Sequence, residues 1–362
     1  MSENIIQINK NVKNQEDTNS LDLFDNEIIG QVLSSNPFVL TKHWIKFQQK
    51  WVNGIYSTFH DYDKYIIIMY LVSITWKYNS NLFKFESMDE YYSKNEVNLP
   101  NINLAELSEN LNTPKETIRR KLIELEKQNI IKRKGQKITL NRLALNVQIP
   151  EESIKNLSIF FEKLSILLSA EDWFGPSISR ENIELYFKKY FTIFWSRFLL
   201  MQIPFLMRWK KIFGDLESWI IWANIGIHQA YDLEKTYLER NNEDLLTSIS
   251  KKNLVDMKNK MADSSKNLFL KQIINNIPKR GVNASSISEI SGIPRATVMR
   301  KLNKLLKEKN IIRNDKLEYF LGRLGKLNEK IFKNYEFNRK QQNLFVTEIF
   351  NLIKKSSLII KK

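Results

Sequence analysis

The stretch Thr113–Leu122, TPKETIRRKL, returns 180 positions later as Ile293–Leu302, IPRATVMRKL. Aligned without gaps, Leu107–Leu125 and Ile287–Leu305 share 8 of 19 residues. The identities are Ser108/Ser288, Glu109/Glu289, Pro114/Pro294, Thr117/Thr297, Arg120/Arg300, Lys121/Lys301, Leu122/Leu302 and Leu125/Leu305. Upstream, NLPNIN at Asn98–Asn103 parallels NIPKRGVN at Asn276–Asn283; downstream, NIIKR at Asn129 parallels NIIRN at Asn310. The likeness extends to FHDYDKYIIIMYLVSI (Phe59–Ile74) and FGDLESWIIWANIGI (Phe213–Ile227). Each of these follows a Trp–Phe pair at helical spacing, Trp44 with Phe47 and Trp195 with Phe198. A repeat of this length reads as a duplicated domain, not a solenoid.

Local rules give the repeated unit a shape. Asn103 followed by Glu106 suits a capping box that opens a helix from Leu104 to about Leu111. Thr113 suits the cap of the next helix, with Pro114 in its first turn and Glu116 closing a second box. Ile118, Leu122 and Leu125 then share one face at i, i+4, i+7. Lys115, Thr117, Arg119, Arg120 and Lys121 are left largely outside. NIIKRKGQKITL reads as strand, turn and strand, with Gly135 free to take positive φ. Two short helices joined by a tight turn and followed by a hairpin make a winged helix-turn-helix. The second copy repeats this: Ser285–Ser291, a turn at Gly292 and a helix from Pro294. Its hairpin turn, Asn314–Asp315, is expected to be shorter and less basic, and Ile293 is a poor cap. Asp61 and Asp215 stand before apolar runs, where N-caps are wanted. An acid–base or metal role for Asp61/Asp63 and Asp215/Glu217 is the alternative, but capping explains both copies without chemistry.

The expected fold is therefore mainly α: two winged helix-turn-helix units, each a three-helix core with a small β-wing, plus flanking helices in a pseudo-dimer. Residues 1–36 read as a polar, unstructured tail. Residues 37–150 form the first unit, 151–184 a linker with an amphipathic helix, and 185–362 the second unit.

Charge points to a partner. The chain carries a net +16. Pro114–Lys137 has nine basic and three acidic residues, and Pro294–Lys316 has eight and two, so these two segments hold +12 of the total. A bias towards lysine across the whole chain would not concentrate charge there. A polyanion is implied, and the major groove of double-stranded DNA admits an α-helix whose Lys and Arg neutralise phosphates.

The segment ISEISGIPRATVMRKLNKLLKEKNII resembles the winged helix-turn-helix of MarR-like and IclR-like bacterial transcriptional regulators, over about 40 residues in each copy. The resemblance implies a helix docked in the major groove, with Lys115, Thr117, Arg119, Arg120 and Lys121 facing DNA in one copy. Arg295, Thr297, Met299, Arg300 and Lys301 would face it in the other. The wings add Arg133, Lys134, Lys137 and Arg313. In MarR-type proteins the flanking helices form a dimer interface; here one chain would make that pairing as a monomeric pseudo-dimer, alone or within a higher homo-oligomer. The expected function is sequence-specific DNA binding by a transcriptional regulator. A plasmid or phage replication initiator, and a winged-helix protein-docking module, are the alternatives.

Other chemistry finds little support. Without cysteine there is no disulfide, thiolate zinc site or cysteine nucleophile. His43, His60 and His228 are scattered, and no phosphate loop, dinucleotide fingerprint or hydrolase motif occurs. No enzyme activity, cofactor or metal is expected. The longest apolar stretches, such as Tyr65–Trp76, run about 12 residues, too short to span a bilayer. A cytoplasmic protein without a membrane partner is expected. Trp195, Phe198, Trp209, Trp219 and Trp222 cluster within 28 residues. They read as core or as the interface between units, and alternatively as the wall of a pocket for a small apolar effector.

Overall fold

The computed structural model describes residues 25–35, 40, 42–82, 84–101, 103–135, 137–142, 150–170, 175–241, 268–275, 277–322 and 328–359. It opens with helices α1 (Asn26–Ser35), α2 (Lys42–Phe59), α3 (Tyr62–Asn81) and α4 (Met88–Tyr92). Strand β1 (Glu96–Leu99), helices α5 (Leu104–Asn110) and α6 (Lys115–Lys127), and strands β2 (Ile131–Lys134) and β3 (Lys137–Asn141) follow. Next come α7 (Glu151–Ala170), α8 (Arg180–Lys189), α9 (Phe191–Phe213) and α10 (Leu216–Asn241). The described chain closes with α11 (Leu268–Asn275), α12 (Ala284–Ser291), α13 (Arg295–Lys307), β4 (Ile311–Arg313), β5 (Tyr319–Leu321) and α14 (Asn328–Ile359). The architecture is mainly helical, with a small antiparallel sheet ordered β1-β3-β2 and a β4-β5 hairpin.

The centre is built from helices that are apolar on more than one face. In α3, Tyr65 through Met69 are all buried, together with Leu71, Val72 and Trp76. Such a helix must be surrounded. Its main partner is α9, which buries Phe194, Trp195, Phe198, Leu199 and Leu206. Helix α2 packs on α7, α14 lies against α9 and α1, and α10 carries α12, α13 and β5.

The two Trp–Phe pairs meet in this centre. Phe47 and Phe198 lie 5.0 Å apart, and Trp51 stacks on Trp195 at 4.4 Å. Trp51 Nε1 donates to Tyr65 Oη at 2.5 Å, so the seam is also tied to α3. Each fully buried aromatic contributes roughly 1.5–3 kcal/mol by leaving water.

Two expectations change. Residues 26–35, assigned to an unstructured tail, form α1, because Ile29, Val32 and Leu33 share an apolar face buried against α14 and α7. Residues 1–24 and 36 of that expectation lie outside the described residues. The expected linker holds the amphipathic helix, but α7 is core: Ile154, Leu157, Phe160, Phe161, Leu164, Leu167 and Leu168 are all buried.

Candidate nucleic-acid interface

Asn103 caps α5, its Oδ1 accepting from Glu106 N at 2.8 Å. After the turn at Leu111–Pro114, α6 buries Ile118, Leu122 and Leu125 as the apolar spacing requires. Thr113 does not cap α6. Its hydroxyl donates back to Leu111 O, Pro114 takes the cap position without a side-chain bond, and Glu116 pairs with Arg119 instead. The helix ends in a Schellman motif: Asn129 has φ +56°, its N–H reaches Glu126 O, and Ile130 N reaches Leu125 O at 3.0 Å. The wing follows, with Lys134 paired across from Lys137 and Gly135 at φ +63° as its turn demands. Val97 pairs with Leu140, which closes the sheet on the helices.

Residues 282–321 repeat these features one by one. Asn283 Oδ1 accepts from Ser286 N at 2.9 Å to cap α12. Pro294 precedes α13, which buries Val298, Leu302 and Leu305 and has the same 13-residue length as α6. Lys309 takes φ +58°, and Asn310 N reaches Leu305 O at 2.9 Å. Val282 bridges Tyr319 where β1 pairs β3 in the first set. The second hairpin differs from expectation. Arg313 pairs with Tyr319, so its loop, Asn314–Glu318, is longer than the first, not shorter. Asn314 Oδ1 organises that loop by accepting from Lys316 N and Glu318 N, and Leu317 sits at φ +59°.

The supporting helices match as well. Helix α2 ends at His60 (φ +52°) and α9 at Gly214 (φ +82°). Asp61 then caps α3, accepting from Asp63 N at 2.8 Å, and Asp215 caps α10, accepting from Ser218 N at 2.7 Å. Each aspartate has a second task that the sequence did not disclose. Asp61 holds Lys121 of α6 at 2.5 Å, and Asp215 holds Lys301 of α13 at 2.8 Å. Burial acts to raise the Asp215 carboxyl, but Lys301 and the Ser218 N–H outweigh it and hold it below the usual carboxylate range.

This geometry sorts the residues expected at DNA. Lys121 and Lys301 are not outward: their side chains are only 13% and 15% exposed, and they anchor each helix to the cap of its neighbour. Met299 is half-buried and packs on the apolar core, whereas its counterpart Arg119 is exposed and bound to Glu116. Arg133 is half-buried against Glu126 at 2.6 Å. Thr117 and Thr297 are half-buried at the helix flank. Lys115, Arg120, Lys134, Lys137, Arg295, Arg300 and Arg313 are exposed. Arg120, 65% exposed, touches Glu124 only at 3.9 Å. Lys279 and Arg280, ahead of α12, are exposed too and were not among the residues expected at DNA, because they belong to neither the helix nor the hairpin of the second copy. An exposed basic helix face beside a basic wing is what a phosphate-lined groove receives.

No single helix among the described residues is long and apolar enough to cross a membrane, and no group of three or more His, Asp or Glu among them is placed to hold a metal ion. Comparison with curated proteins and with solved structures returns no match. Residues 98–135, from β1 through α5 and α6 into the first wing, match the DeoR-like helix-turn-helix domain. Those residues are a helix-turn-helix DNA-binding domain, which supports DNA binding and a regulatory protein rather than an enzyme.

Proposed function

We propose that the chain is a sequence-specific, double-stranded DNA-binding transcriptional regulator that carries its winged helix-turn-helix twice, in units spanning 37–150 and 185–362. The observation that carries this is the correspondence of Lys121–Asp61 with Lys301–Asp215. Identical residues at identical helix positions tie α6 to the cap of α3 and α13 to the cap of α10. An internal duplication accounts for this with one inheritance. The aromatic seam between α2 and α9 supports pairing of the two units within one chain, in place of the interface a homodimer forms through flanking helices. Recognition rests on Lys115, Arg119, Arg120, Arg295 and Arg300, with Lys134, Lys137 and Arg313 on backbone phosphates. The protein acts where genomic DNA is, in the cytoplasm. The cavity walled by Trp209, Trp219 and Trp222 supports a small effector as a further partner.

Gel shifts with genomic fragments test the reading. Arg120→Ala and Arg300→Ala are each expected to weaken a bound fragment by about 1–3 kcal/mol. Wild-type affinity in both variants, with the fold intact, refutes it.

A further inference from the structure

The exposed beginnings of α6 and α13 are alike except in one place. Lys115 corresponds to Arg295, Thr117 to Thr297 and Arg120 to Arg300. The helices part at Glu116/Ala296 and Arg119/Met299. Residues three apart are neighbours on a helix face, so each helix differs from the other at a single spot. The difference is concerted. An acid stands beside a base in α6, whereas in α13 Met299 leans on the apolar core and leaves Ala296 exposed beside it.

In α6 the acid and the base hold each other. Arg119 donates from Nε to Glu116 Oε2 at 2.9 Å and from Nη2 to Oε1 at 2.7 Å. The Glu116 side chain is 74% exposed and that of Arg119 55%, so the pair adds little to stability. A first-turn acid still gains about 0.3–1 kcal/mol from the helix dipole, but that gain needs no arginine. Nor does α13 use it: α6 carries five basic and three acidic residues, and α13 five basic and none acidic. A carboxylate on a face that meets phosphates is unfavourable unless it finds a donor there.

The pair leaves a defined set of groups free. Arg119 spends its Nε–H and one Nη2–H on Glu116, which leaves the Nη1–Nη2 edge as a fork of two donors. Each Glu116 oxygen keeps a lone pair. The bond from Arg119 holds the Glu116 carboxyl below the usual carboxylate range, so it is acceptor-only at neutral pH. Acceptor, donor, donor is the complement of a C·G pair in the major groove, which offers cytosine N4–H, then guanine O6 and N7. Adenine fits less well, because its N7 would face the carboxylate.

We infer that Glu116 and Arg119 read one C·G base pair as a unit, cytosine N4 donating to Glu116 and guanine O6 and N7 accepting from Arg119. Ala296 meets a thymine methyl at the corresponding place in the other half-site. This rests on the DNA-binding function proposed above and names the base pair that distinguishes its two half-sites.

The test selects fragments from a randomised double-stranded DNA library with the full chain. The wild type is expected to retain two similar half-sites, one with C·G where the other has T·A. Glu116→Ala is expected to lower the C·G preference about tenfold and to leave the other half-site unchanged. If no DNA is retained, the DNA-binding reading falls and this inference with it. If DNA is retained, half-sites that show no such C·G pair, a preference undiminished in Glu116→Ala, or equal weakening on every sequence overturns this inference alone. Should Glu116→Ala lose its helical circular dichroism, Glu116→Gln takes its place. Its amide accepts from adenine N6 and donates to N7, so it is expected to exchange cytosine for adenine; a retained cytosine preference overturns the proposal.

Discussion

Removing Asp215 tests how helix α13 is held on α10. Its carboxylate accepts from Ser218 N at 2.7 Å, Lys301 Nζ at 2.8 Å and Lys304 Nζ at 3.4 Å. Losing the cap costs about 1 kcal/mol. Stranding Lys301, whose side chain is only 15% exposed, costs about 1–2 kcal/mol more, below the cost for a fully buried pair because solvent still reaches it. Asp215→Ala is therefore expected to destabilise by about 2–3 kcal/mol, and Asp215→Asn, which keeps a capping oxygen, by about 1–2 kcal/mol. Chemical denaturation of Asp215→Ala, Lys301→Met and the double variant at pH 7 should give a coupling of about 1–2 kcal/mol. The native carboxyl sits below its ordinary value. Its contribution is therefore complete above the unfolded pKa of about 4 and lost as pH falls through the native one. A coupling indistinguishable from zero at neutral pH, or one that grows on acidification, would refute the reasoning.

Glu217 should behave in the opposite sense. Burial, joined by the nearby Asp215 and Asp61, raises its carboxyl against the help of its own backbone N–H and Lys301. Its contribution is present below the unfolded value and lost as pH rises through the native one, so Glu217→Gln should raise the melting temperature at pH 7 and have less effect near pH 4. Gly281→Ala is expected to cost about 1–3 kcal/mol in denaturation, because its Cβ would meet Tyr319 O at 2.8 Å and Glu318 Cβ at 2.9 Å in the second wing. Affinity for DNA should fall with salt at a log–log slope of about −5 to −7, since the exposed basic residues can reach about 6–8 phosphates; a slope near zero removes the electrostatic footprint.

The helices and wings were legible because each follows a local rule. The Ile118–Leu122–Leu125 spacing, the caps at Asn103, Asp61 and Asp215, and the positive φ of Gly135 need only neighbouring residues. What escaped depends on distant partners. Lys121 and Lys301 look outward on a helix read in isolation, and only the packing of α6 on α3 and α13 on α10 brings an aspartate to them. The same holds for Arg133, drawn in by Glu126, and for Met299, which lies against the core. Helix α1 was hidden by the polar residues around its short apolar face. The longer second wing turns on Asn314, whose side chain accepts from Lys316 N and Glu318 N in a loop that the backbone bond from Asn314 N to Glu318 O also closes. The clustered tryptophans are all buried in the core, as one of the two readings held: Trp195 joins the seam between α2 and α9, and Trp209, Trp219 and Trp222 also line the cavity.

Hydroxyl-radical footprinting at a known ratio of protein to DNA tests the proposed pairing of two units most directly. One chain with two recognition helices should protect two similar but non-identical half-sites about one helical turn apart, ~34–36 Å. The difference between them should reflect Arg119 with Glu116 on one helix and the half-buried Met299 beside Ala296 on the other. Replacing Arg120 should remove protection at one half-site and replacing Arg300 at the other. A single protected half-site per chain, or a strictly symmetric site that requires two chains, would contradict the pairing of two units within one molecule.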